Sequence, residues 1–119
     1  MKVSIRHDGS GNFVSMTSPG GGRDKDEEGM RMMFAQVAEG IGQALLFAAG
    51  RRGMPVGKCL VTVEGESDRT AFLREGIAVT VEAAGTQETL DVWLNEALAH
   101  CFPEGTLVCP LRHTVIATT

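Results

Sequence analysis

A chain of 119 residues with an apolar fraction of 43 % has room for one globular domain, residues 1–119, and not for two. Its 15 acidic side chains outnumber 11 basic ones, which argues against broad electrostatic binding to nucleic acid or to an anionic membrane surface. The opening MKVSIRHDGSGN lacks the apolar stretch of a leader, the longest apolar run (around 44–49) is too short for a bilayer, and three cysteines form no dense pattern; the chain reads as cytoplasmic.

Residues 2–7 alternate, with Val3 and Ile5 on one face and Lys2, Ser4 and Arg6 on the other, which predicts a strand. A turn at 8–12 and a partner strand at 13–17 complete a hairpin. The glycine-rich segment 18–28 reads as a loop without the spacing of a phosphate loop, and Asp24, Asp26, Glu27 and Glu28 suit the start of a helix better than a metal site.

Residues 27–50 form the main predicted helix, because Met30, Met33, Phe34, Val37, Ile41, Ala44, Leu45 and Ala48 recur every three or four positions. Leu46 and Phe47 widen that stripe, so the second half is expected to be buried on more than one side. Arg51, Arg52, Gly53 and Pro55 mark the end. Gly40 and Gly42 lie inside, each costing about 1 kcal/mol against alanine, and close approach of another helix is the simplest compensation.

Residues 58–64 and 77–83 alternate as strands, with Cys59, Val61 and Val63, then Ile77, Val79, Val81 and Ala83, on one face. Between them, 66–75 reads as a short helix or an irregular excursion around Phe72 and Leu73. Thr86 caps a helix to about 101 whose buried stripe is Leu90, Trp93, Leu94, Ala97, Leu98 and Cys101. Residues 113–119 are β-branched enough for a terminal strand. The order is that of an α+β fold, an antiparallel or mixed sheet packed on helices.

His7, His100, His113 and the three cysteines form no CxxC or HxxxH pair, and a set of His100, Cys109 and His113 needs folding to assemble, so no metal or other cofactor is assigned. No GxSxG elbow occurs. The sharpest signal is CPLRHT, residues 109–114. Arg112 and His113 near Cys109, with a helical turn opened by Pro110, favour the thiolate and mark all three as candidate catalytic residues. Against this, a cysteine often only fills space.

Cys109-Pro110-Leu111-Arg112-His113-Thr114 resembles the CPVxxT motif of the OsmC/Ohr superfamily. The helix ending at Gly53, the strand through Val63, and the strand and helix at 77–101 follow in the matching order, so the resemblance spans about 30–116. It implies an OsmC-like fold, an intertwined homodimer with long central helices between sheets, and a redox stress response. Peroxidase members attack a hydroperoxide with a cysteine on the central helix and resolve it with the cysteine of the Cys-Pro motif. Here the first position falls near Gly40 to Gly42, and the helix has no cysteine. The expectation is an OsmC-like homodimer without the standard two-cysteine cycle, using Cys109 for thiol chemistry or binding a small hydrophobic ligand. The alternatives are a hydroperoxide reductase pairing Cys109 with Cys101 or Cys59, and a non-catalytic interaction domain.

Overall fold

The computed structural model describes residues 1–8, 13–15, 25–51, 58–66, 68–102 and 109–118. The glycine triplet and the helix stop at Gly53 lie outside them. The elements run β1 (Lys2–His7), β2 (Phe13–Ser15), α1 (Lys25–Arg51), β3 (Cys59–Gly65), α2 (Arg69–Glu75), β4 (Ile77–Ala84), α3 (Gln87–Cys101) and β5 (Leu111–Thr118). The strands form one mixed sheet in the order β2-β1-β3-β4-β5. Every pairing is antiparallel except β4 with β5, whose parallel register is made possible by the crossover through α3. This is the α+β class, with a long helix on a mixed sheet.

The ambiguous segment resolves into α2. Asp68 caps it, its carboxylate accepting from the amides of Thr70 and Ala71 at 2.8 and 3.4 Å. Phe72 turns into the core against Phe34, ring centroids 5.9 Å apart, while Leu73 is exposed. Thr86 caps α3 as the sequence predicts, accepting from the Thr89 amide at 3.2 Å.

The predicted alternation is obeyed. Val3, Ile5, Cys59, Val61, Val63, Ile77, Val79, Val81 and Ala83 are buried beneath the helices. The other sheet face carries hydroxyls in one cross-strand row, Ser4, Thr62, Thr80 and Thr114. Ser4 and Thr62 are hydrogen-bonded at 2.9 Å. Helix α1 packs on β1, β3 and α3. Phe34, Ile41, Leu45 and Leu94 are fully buried, as is Trp93 nearly so, whereas Met33, Val37 and Leu98 are only half-buried at the margin. Leu45→Ala is expected to cost about 2 to 5 kcal/mol in chemical denaturation, since it empties a closed site. A loss below about 1 kcal/mol would contradict that packing.

Two expectations about α1 change. Its second half is not buried all round: Phe47 is 63 % exposed, its ring stacked on that of His100 at 6.5 Å. And only one of the two glycines faces a helix. A Cβ on Gly40 would stand 3.9 Å from the Cys101 sulfur at the end of α3, but a Cβ on Gly42 would enter the imidazole of His7, on a strand. The span Glu28–Arg51 is also long and apolar enough to cross a membrane, although no run of the sequence alone suggested it. Its buried side, including Phe34, Ala38, Ile41 and Leu45, is occupied by the sheet.

Strand β5 lies at one edge. The Ile77 amide donates to the Pro110 carbonyl at 3.0 Å, and Ile77 is level with Leu111. The odd-numbered residues of β5 therefore turn their N–H and C=O groups away from β4. One of those outward carbonyls, that of Val115, accepts a hydrogen bond from the Gln87 amide side chain at 2.7 Å.

Candidate functional site

The Cys-Pro segment is fastened by Gly76. This residue ends α2 with φ of +78°, and its amide donates to the Phe72 carbonyl at 2.7 Å. A side chain on Gly76 would overlap the Pro110 carbonyl, so the glycine lets the segment lie against the start of β4.

Pro110 opens no helical turn. The chain extends directly into β5 at Leu111, so no helix N-terminus supplies amides to Cys109. Cys109 itself is buried, at 8 % exposure. Burial pushes its thiol up from the ordinary value, the reverse of the activation that the sequence suggested.

The two cationic candidates do not converge either. Successive side chains on a strand point to opposite faces. Arg112 pairs with Ala78 on the open face of the sheet, where its Nη1 donates to the Glu75 carbonyl at 3.3 Å. His113 is level with buried Val79 on the helix side, yet is itself exposed. Arg112 lines a cleft of about 280 Å³ together with Glu64, Gly65, Glu66, Glu75 and Gly76. Cys109 is not in its lining, and the carboxylates there suit a polar occupant rather than an apolar one.

All three cysteines are free. Cys59 is buried in the first position of β3, and desolvation pushes its thiol up to about 11. It is level with Ala83, whereas Leu111 is level with Ile77, six residues back along β4. That offset is about 20 Å at the rise of a strand, and Cys109 is two residues from Leu111. Within one chain the sulfurs of Cys59 and Cys109 are therefore too far apart for a disulfide, which removes Cys59 as an intramolecular partner. Cys101 is half-buried, with its thiol also raised by burial. Its sulfur lies beside the Gly40 position at which the resemblance implies a helix thiol. Among the described residues no three His, Cys, Asp or Glu side chains form a group able to hold a metal ion.

One buried polar residue was not singled out by the sequence. His7 continues the inward alternation of Val3 and Ile5 and is completely buried, directly opposite Cys59 in the β1–β3 register. Its position was readable from the period of two; its contact with Gly42 was not. Comparison with models of protein families, with curated proteins and with solved structures finds no match to the chain.

Proposed function

We propose that the protein is an OsmC-like homodimer that does not run the two-cysteine hydroperoxide cycle. The observation that carries this reading is the outer side of α1. Its exposed positions from Gly29 to Gly50 are Gly29, Met32, Gln36, Gln43, Phe47 and Gly50, and none is charged. At 1.5 Å per residue the stripe is about 30 Å long. A helix that faces water along such a length ordinarily carries charge on that side. A second copy offering the same stripe across a two-fold axis would cover it, with the polar sheet faces left outward. A cytoplasmic location and a small apolar ligand in the cleft between copies belong to the same proposal.

The absence of the cycle rests on the thiols. The helix has glycine where the resemblance implies the attacking cysteine. Cys59, Cys101 and Cys109 are all held toward the unreactive thiol by burial. The same fact favours a second reading, in which every cysteine is packing and the dimer only binds. Alkylation rates separate the two: a fast Cys109 supports thiol chemistry, and a slow one supports packing alone.

Sedimentation at micromolar concentration is expected to give about twice the 12.7 kDa chain mass, and Met32→Glu with Phe47→Glu is expected to return it to one chain. A native monomer would overturn the dimer. Hydroperoxide consumption with a dithiol reductant is expected to stay at background in the native protein, Cys109→Ser and Cys101→Ser. Turnover that disappears in either variant would restore the peroxidase.

A further inference from the structure

The last residue of β1 places an imidazole inside the core. His7 is fully buried, and among the described residues neither Nδ1 nor Nε2 makes a hydrogen bond. The Phe13 ring of β2 lies 5.4 Å away at 46°. Cys59 of β3 is opposite, and the backbone of α1 crosses at Gly42, where no side chain fits over the ring. A neutral ring in this slot forgoes the hydrogen bonds it makes in water; a charged ring there has lost its hydration without gaining a direct counter-ion.

The groups that bear on its charge come from each element around it. Glu39 of α1 and Asp8 beyond β1 favour a proton, as does the Ala38 carbonyl, although that pair does not reach good hydrogen-bond geometry. From β3 the Cys59 thiol is neutral, and from β2 the Phe13 ring lies against it. Burial outweighs all of these and holds the imidazole below its usual 6.5.

We propose that the His7–Gly42 contact is an acid-sensitive fastening between the β1–β2 hairpin and the central helix, closed while the ring is neutral and released when it takes a proton. The sign follows from linkage. The unfolded or released ring binds protons more readily than the packed one, so the fastening is at full strength above about pH 6.5 and weakens as pH falls toward the packed value. Between pH 7.5 and 5.5 the opening equilibrium rises by up to about tenfold.

The test uses the full chain. Amide-exchange protection factors of β1 and β2 are compared with those of β4 at both pH values, in the native protein, His7→Phe and His7→Gln. The expected result is a selective loss of protection in β1 and β2 of the native protein, absent in His7→Phe. Equal loss in β4, or the same loss in His7→Phe, would overturn the proposal. Should the variants fail to fold, the ring resonances of native His7 decide it. A midpoint clearly below 6.5 with β1 protection falling in step supports the fastening; a midpoint of 6.5 or higher overturns it.

Discussion

Gly76→Ala is expected to destabilise the protein by more than about 3 kcal/mol, a large part of the 5–15 kcal/mol available to a domain of this kind. Two effects add. The backbone at φ of +78° is one that a residue with a Cβ adopts at a cost of about 1–3 kcal/mol. The new methyl would also overlap the Pro110 carbonyl, a backbone group whose own bond to the Ile77 amide aligns β4 with β5. The carbonyl cannot swing aside without parting the first rung of that pairing. Denaturation in urea measures the loss, and a value below about 1 kcal/mol would show that the segment moves freely. The same variant should raise the alkylation rate of Cys109, since it displaces the segment that buries the thiol.

Gly42→Ala is expected to cost as much, for a different reason and with a sign that can be reversed. In the native protein the added methyl enters a ring that is enclosed by Phe13 and the sheet. In a His7→Ala background the ring is gone, and alanine is then the better helix residue by about 1 kcal/mol. The second substitution should therefore be neutral or stabilising when made after the first, a coupling of at least about 2 kcal/mol between two residues on different elements. Gly50 in the same helix has open space around it within the single chain, so Gly50→Ala, made in the Met32→Glu, Phe47→Glu background, provides the control, with a gain of up to about 1 kcal/mol. Equal losses for Gly42→Ala in both backgrounds would rule out the His7 contact as their cause.

Gly40 and Gly42 show what was legible beforehand. Glycines within a strong helical pattern signalled a close neighbour, but spacing along one helix holds no information about which element crosses it. The neighbour of Gly42 depends on the β1–β3 register, a long-range pairing. The alternating strands and the Leu90-Trp93-Leu94-Ala97 stripe were readable because one face is buried and one is wet. Thr86 was readable as a cap for a local reason, a side-chain oxygen within reach of the amide three residues on, whereas Asp68 was not, because the short segment after it shows no clear helical period.

The candidate site was less legible, because it depended on local conformation at a single proline. Pro110 suits the start of a helix and the approach to a strand alike. The outcome was set by the β-branched Thr114, Val115 and Ile116 that follow and by the free edge of β4 beside them. Once the chain extends, alternation alone sends Arg112 and His113 to opposite faces. Phe47 shows the complementary limit: its apolar character predicted burial, yet among the described residues only the His100 ring stacks on it and it stays 63 % exposed.

The hydrogen bond from Gln87 to the Val115 carbonyl has a consequence for how copies of this protein can meet. A bare strand edge is a template on which a strand from another molecule can add, and repeated addition leads to polymerisation. On β5 that growth would have to use the outward odd-numbered groups, and an arriving strand must first displace Gln87 near the middle of the row. The amide side chain thus acts as a stopper against strand addition along the β5 edge.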